Sequence, residues 1–225
     1  MICMSGIRYF FRSSFRRKLL DFYQDKYDSY YYGRVADIGG RDRGKFKKPK
    51  DRVKEWVFVD IVAEHKPDII ADVADMHMFP DGTFDVINAL ELFEHVENIE
   101  GGVAECVRLL KPGGLFIISM PFLYPVHGDP YDFQRWTDQK WKNVLKENGM
   151  TVQKIEIMGR AFTVFSETAR AMIIDMPVLL RKPLKFVFLP LLVCISKLDY
   201  LKMVQNSQKL KNFHGGYFII ACNTK

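Results

Sequence analysis

Cysteine and long hydrophobic runs are both scarce in this chain. Cysteine occurs at only four of 225 positions, Cys3, Cys106, Cys194 and Cys222. No CxxC pair or zinc-ligand spacing joins them, which argues against a disulfide scaffold and a zinc module and points to a reducing compartment. A cytoplasmic protein with no metal site is therefore expected. The longest apolar run, Phe186–Ile195, contains Pro190 and is about half of the roughly 20 residues that a membrane span needs. The N-terminus is aromatic and basic, without the apolar core and small-residue cleavage site of a signal peptide. There are no internal repeats and no low-complexity tracts.

What is present suits a soluble globular protein: 48% hydrophobic and 27% charged residues. A chain of 225 residues accommodates one ordinary domain with a buried core, or one domain with an insertion. The formal net charge of +6 permits an acidic partner, whether nucleic acid, anionic lipid or a phosphorylated substrate. It selects none of them and is equally the charge of a merely soluble protein.

Periodicity predicts the elements. Ile7, Phe11, Phe15, Leu19 and Phe22 recur at helical spacing among Arg8, Arg12, Arg16, Arg17 and Lys18, a basic amphipathic helix over Ile7–Phe22. It can pack beside a sheet or lie on a membrane surface. After the turn YDSYYYG come predicted strands at Arg34–Ile38, Trp56–Asp60, Asp68–Ala71, Phe84–Asn88, Leu115–Met120, Thr151–Met158 and Tyr217–Cys222. A helix around Gly101–Leu110 buries Val103, Val107 and Leu110 and stops at Lys111-Pro112-Gly113-Gly114. Thr137 caps a helix whose inner face is Trp141, Val144 and Leu145, ended by Gly149. Phe162–Phe213 is too long for a loop and too apolar for a disordered linker. It reads as a helical insertion broken at Pro177, Pro183 and Pro190.

Each early strand delivers Gly, Asp or Asn at its carboxyl end, where open α/β sheets bind nucleotide-like ligands. The order RVADIGG, then Asp60, then ADVADMHMFPDGTFDVI, then FEHV, then LKPGGLFIISMPF resembles a class I S-adenosylmethionine (SAM)-dependent methyltransferase of the type 11-like group. The resemblance implies a Rossmann-like, doubly wound α/β fold. Its seven-stranded sheet is mostly parallel with an antiparallel last strand, joined by an N-terminal helix and a helical insertion before that strand. The chain then reads as one domain over 1–225, with 1–32 the N-terminal helical segment and 162–213 the insertion.

The resemblance also implies site residues. Asp37, Gly39 and Gly40 match the glycine-rich turn that meets the amino acid tail of SAM, although Arg41 replaces the next glycine of the D-x-G-x-G pattern. Asp60 matches the carboxylate for the ribose diol. Asp72 and the Val73 backbone match the adenine edge, and Asn88 closes strand 4. Phe93–Val96 matches a helix start, where His95 either touches the acceptor or caps and packs. The basic stretch Gly44–Glu55, with Pro49, predicts a short or irregular segment in place of the usual helix. There is no complete G-x-G-x-x-G after strand 1, which disfavours a dinucleotide-binding domain.

The acceptor loop is Met120–Thr137. Tyr124, Tyr131, Phe133 and Trp136 are candidate pocket walls, and His127, Asp129, Asp132 and Arg135 supply charge. His127 is the candidate base, because imidazole titrates near neutrality. Asp132 would orient it, and Arg135 would bind a carboxylate or phosphate of the substrate. The other reading is that Asp132 and Arg135 pair with each other and hold the loop. The form P-x-H-x-x-P-x-D-x-x-R-x-T, Pro125–Thr137, looks like type 11 enzymes of polysaccharide and glycolipid biosynthesis. That implies methyl transfer to an oxygen nucleophile of a small-molecule, glycan or glycolipid acceptor. Two rivals stand beside it. One is a non-catalytic SAM-fold binding module. The other is a nucleic-acid methyltransferase suggested by the basic cluster Arg41–Lys54, although no N/D-P-P-Y/F motif follows strand 4. The stretch LKFVFLPLLVCISKLDYL admits peripheral membrane contact near a lipid-linked acceptor, a lid, or a homodimer surface.

Overall fold

A computed structural model describes residues 9–41, 44–128 and 131–225. In chain order the elements are α1 (Phe15–Lys26), β1 (Gly33–Ile38), β2 (Val53–Asp60), β3 (Ile69–Ile70), β4 (Phe84–Leu90), α2 (Ile99–Leu109), β5 (Leu110–Pro121), α3 (Asp138–Glu147), β6 (Met150–Ile157), α4 (Ala161–Ile174), α5 (Val178–Ser196), α6 (Lys202–Gln205) and β7 (Gly216–Asn223). The described residues form two compact units: a sheet unit within 22–122, 126–156 and 217–225, and a helical unit of 9–21, 123–125 and 157–216.

The sheet has seven strands in the order β3-β2-β1-β4-β5-β7-β6. It is parallel from β3 through β5 and antiparallel at its β5-β7-β6 end. The expected fold class is borne out. Strands β1 and β4 are buried along most of their length, as central strands covered on both faces must be. Register aligns Asp37 of β1 with Asn88 of β4 and with Phe58 of β2, two residues short of Asp60. Asp60 ends β2, while Asp37 and Asn88 lie one and two residues inside the ends of β1 and β4; Asn88 does not close its strand, which runs on to Leu90.

Local chemistry explains the helix ends. Asn98 caps α2 by accepting from the Gly101 N–H, and Thr137 caps α3 by accepting from the Lys140 N–H. Helix α3 buries Trp141, Val144 and Leu145, as expected, and Gly149 after it has φ +79°. Cys106 lies in the core of the sheet unit, whereas Cys222 on β7 is half-buried. The Lys111–Gly114 stretch does not separate α2 from β5. Strand β5 already begins at Leu110, and the extra residues form an irregularity between the pairs Phe84↔Leu110 and Val86↔Leu115.

Three other expectations need correcting. The N-terminal helix is not continuous. Residues 9–12 are helical, and α1 restarts at Phe15, while Ile7 and Arg8 lie outside the described residues. The restart is locally capped: Ser14 Oγ accepts from Arg17 N at 2.9 Å, and the buried Glu167 carboxylate accepts from Phe15 N at 2.5 Å. Phe93–Val96 is not a helix start either. Phe93–His95 is a single 3₁₀ turn, Val96 is extended, and α2 starts only after the Asn98 cap. The insertion is helical, but Pro183 and Pro190 lie inside α5 without breaking it. Each removes one backbone hydrogen bond, leaving the carbonyls of Leu179 and Phe186. Those residues are 86% and 72% exposed, so water can serve both carbonyls.

In the helical unit, Phe15 packs with Leu189 and Leu192 of α5. The buried Asp199 accepts backbone N–H bonds from Arg160, Phe162 and Thr163 at 2.9–3.0 Å, filling the orphan donors at the start of α4. Asp199→Ala is expected to destabilise this unit by about 1–3 kcal/mol. Thermal unfolding followed by circular dichroism checks it. No helix among the described residues is long and apolar enough to cross a membrane, although Leu179, Phe186 and Val187 leave an exposed apolar side on α5.

Candidate active site

Asp37, the last residue but one of β1, is a buried carboxylate held from two directions. It accepts from Asn88 Nδ2 at 2.7 Å and from Trp56 Nε1 at 2.9 Å. Asn88 in turn accepts from the Tyr31 hydroxyl at 3.0 Å. Burial pushes the Tyr31 phenol up, so it stays a donor. Lys48 lies over the Trp56 ring and 4.0 Å from Asp37, and Phe46 packs against Tyr31. Among the described residues 39–52 there is no helix, as the basic composition and Pro49 predicted. The segment instead lays Phe46 and Lys48 against this network.

The turn after β1 has no room for side chains. Gly39 adopts φ +68°, and a Cβ there would meet Leu92 at 2.8 Å. A Cβ on Gly40 would meet the Asp37 carboxylate at 2.1–2.3 Å. Glycine at both positions keeps the backbone bare beside the carboxylate.

Asp60, at the end of β2, is buried. One oxygen accepts from Val62 N at 2.9 Å, and the other lies 2.8 Å from His65 Nδ1. A carboxylate has about four lone-pair sites, so two remain for a ligand diol. Beyond β3, Asp72 is exposed and accepts from Ala74 N at 2.8 Å. The Val73 side chain is buried against Gly102, which leaves its backbone as the group available to a ligand.

The second half of the site comes from two loops. The turn after β4 carries Glu94 and His95, and the segment after β5 carries His127 through Arg135. They are laced by backbone: Phe133 N donates to Glu94 O at 2.8 Å, and His95 Nδ1 lies 2.5 Å from the Tyr131 carbonyl. The His95 and His127 rings meet edge to face with centroids 5.2 Å apart. Asp132 accepts from His127 N at 2.9 Å, lies 3.3 Å from His127 Nδ1, and forms a two-pronged pair with Arg135. Burial opposes charge on Asp132, but Arg135 and the His127 N–H together hold its carboxyl below the usual range. Of the two readings of Asp132 and Arg135, the geometry has them paired. Asp129 lies outside the described residues. Trp136 packs in the core against Trp141 and also lines a cavity of about 300 Å³ with Glu97, Asn98, Gln134 and Lys140.

Sequence reasoning missed Trp56, Tyr31 and His65, which hold the expected residues in place. It also missed Glu91, a non-glycine residue at φ +54° directly after β4, a conformation that favours functional loops. Its N–H donates to Ser119, whose hydroxyl donates back to the Glu91 carboxylate at 2.6 Å. Only the two-residue spacing of Asp60-Ile61-Val62, an Asx-turn signal, hinted at any of this. His65→Ala is expected to weaken ligand binding at Asp60 several-fold and less than loss of Asp60 itself, as read by calorimetry.

With this geometry in hand, three comparisons bear on the family. Residues 48–118 match the family model described as a methyltransferase domain. A stretch of 59 residues is 37% identical to the ubiquinone biosynthesis O-methyltransferase of Dechloromonas aromatica, covering 24% of this chain and 25% of that protein. The matched stretches span between 10% and 25% of the length of such curated relatives. A SAM-dependent methyltransferase from Archaeoglobus fulgidus superposes with a TM-score of 0.58 at 22% identity, over 96% of this chain and 97% of that one. The [4+2]-cyclase SpnF superposes with the same TM-score at 17% identity, over 94% and 83%. The structural likenesses bear out the expected Rossmann-like fold, and residues 48–118 match the methyltransferase-domain model as the resemblance implied.

Proposed function

We propose that this chain is a SAM-dependent methyltransferase acting on an oxygen nucleophile of a small-molecule, glycan or glycolipid acceptor. The observation that carries the cofactor half is the alignment of Asp37, Asn88 and Asp60 on adjoining strand ends, with two glycines that keep the intervening backbone bare. SAM, when bound, supplies an electrophilic methyl group on a sulfonium. Asp60 has lone pairs for the ribose diol, Gly39 and Gly40 offer backbone to the amino acid tail, and Asp72 with the Val73 backbone offers a polar edge to the adenine. Ile61, exposed directly after Asp60, offers that base an apolar face.

The acceptor half rests on His127. Asp132 lies 3.3 Å from Nδ1 and orients the ring of a side chain suited to take a hydroxyl proton. Such a base contributes roughly 10²–10⁴-fold. Oxygen as the acceptor atom rests on this base and not on the relatives, which include the sterol 24-C-methyltransferase erg6 of Schizosaccharomyces pombe as well as an O-methyltransferase. The SpnF superposition is a reminder that this fold hosts other chemistry, so turnover is the test. Incubation with methyl-labelled SAM and a panel of hydroxylated sugars, glycolipids and phenols should move label to acceptor oxygen. His127→Ala should slow that transfer by roughly 10²–10⁴-fold while sparing SAM affinity. Transfer at the native rate in His127→Ala would remove the base assignment.

A further inference from the structure

We propose that Glu94, His95 and His127 form a binding site for a divalent first-row transition-metal ion, with zinc the ion that best suits the donor set. One ligand atom from each lies within 4.8 Å of the others. The Glu94 side chain is fully buried, and its carboxylate lies 3.8 Å from His95 Nε2. His127 is the outermost member, 40% exposed, so the cluster runs from the protein interior to an open side.

The supporting groups favour metal ligation over chance proximity. The Tyr131 carbonyl only accepts hydrogen bonds. At 2.5 Å from His95 Nδ1 it fixes the proton on that nitrogen and leaves the lone pair on Nε2, the side facing Glu94. The Asp132 carboxylate lies 3.3 Å from Nδ1 of His127. Ligating histidines are held in this way, by a carbonyl or carboxylate on the far nitrogen. Two imidazoles and one carboxylate make a three-ligand set with an open position, as in catalytic zinc centres. Two nitrogen donors disfavour Mg²⁺ and Ca²⁺, which seek oxygen. In a tetrahedral ion with bonds of about 2.0–2.1 Å the donors sit about 3.4 Å apart, so small side-chain rotations must close the cluster. The scattered cysteines led the sequence reading to expect no metal, because adjacent Glu94-His95 and distant His127 have no motif spacing.

The use of such an ion rests on the methyltransferase reading; its binding does not. An acceptor hydroxyl at the open position would lose its proton more readily, to solvent water. His127 would then hold the ion instead of taking the proton.

The test is Co²⁺ titration of the chelator-treated native chain without SAM. Visible absorption of a low-symmetry ion should develop and saturate at one equivalent, and zinc should abolish it. His95→Ala and Glu94→Gln should each weaken uptake at least tenfold, with near-native circular dichroism spectra certifying the fold. His77→Ala, at an exposed histidine outside the cluster, should leave uptake unchanged. Native protein that takes up no Co²⁺, or uptake that survives in the His95→Ala/His127→Ala double variant, would overturn the site. Either result leaves SAM binding untouched, and failure of SAM to bind leaves the metal result standing.

Discussion

Asp60→Ala is expected to lose roughly two orders of magnitude in SAM affinity. Hydrogen bonds to a charged group contribute about 1.5–3 kcal/mol each, and the two lone-pair sites left by Val62 and His65 are the ones a diol would use. Removing the carboxylate forfeits about 3 kcal/mol, which is about a hundredfold in Kd. Asp60 also anchors the turn after β2, so fold integrity is checked by thermal unfolding. Asp60→Asn provides the second variant, because it keeps an acceptor for Val62 N but loses the charge. It should fall between native and Asp60→Ala in calorimetric titration. If all three bind SAM equally, Asp60 is not the ribose contact.

Arg135→Leu is expected to lower stability by about 3 kcal/mol or more and to displace His127. The Asp132 side chain is enclosed, 2% exposed, and Arg135 is its two-pronged partner. Breaking a buried pair from one side strands a charge and costs about 3–5 kcal/mol; the lower end applies because Arg135 keeps some contact with solvent. The pH dependence carries the same signature. The carboxyl of Asp132 is held below its unfolded value, so its contribution is complete above the unfolded value near 3.9. It fades as pH falls through the lower, folded value. Chemical denaturation at neutral and acidic pH should therefore show the native-to-variant stability gap shrinking toward acid. A gap that is constant with pH would mean that the pair does not hold the loop.

The placement of the cofactor candidates was legible in the sequence because residues near strand ends follow from topology. Once β1, β2 and β4 are parallel neighbours, Asp37, Asp60 and Asn88 must converge, and periodicity is enough to identify those strands. Their supports were not legible. Trp56 lies earlier on β2 and Tyr31 precedes β1, and only the register and side-chain directions bring them onto Asp37 and Asn88. The α5 helix was misjudged at Pro183 and Pro190 because local propensity ignores exposure: a lost backbone bond matters little where water replaces it. The acceptor half was half legible. The density of aromatic and ionisable residues in Met120–Thr137 signalled a functional loop, but the loop's docking onto the Glu94-His95 turn depends on backbone bonds that no spacing encodes. Trp136 serves both as a helix-packing anchor against Trp141 and as a cavity wall, a double role that no sequence spacing encodes.

The central claim is that the ends of β1, β2 and β4 hold SAM, and isothermal titration of the native chain with SAM and with its demethylated product tests it most directly. The account predicts saturable binding of both at one site per chain, weakened together by Asp60→Ala. Absence of heat for either ligand from a folded protein would contradict it.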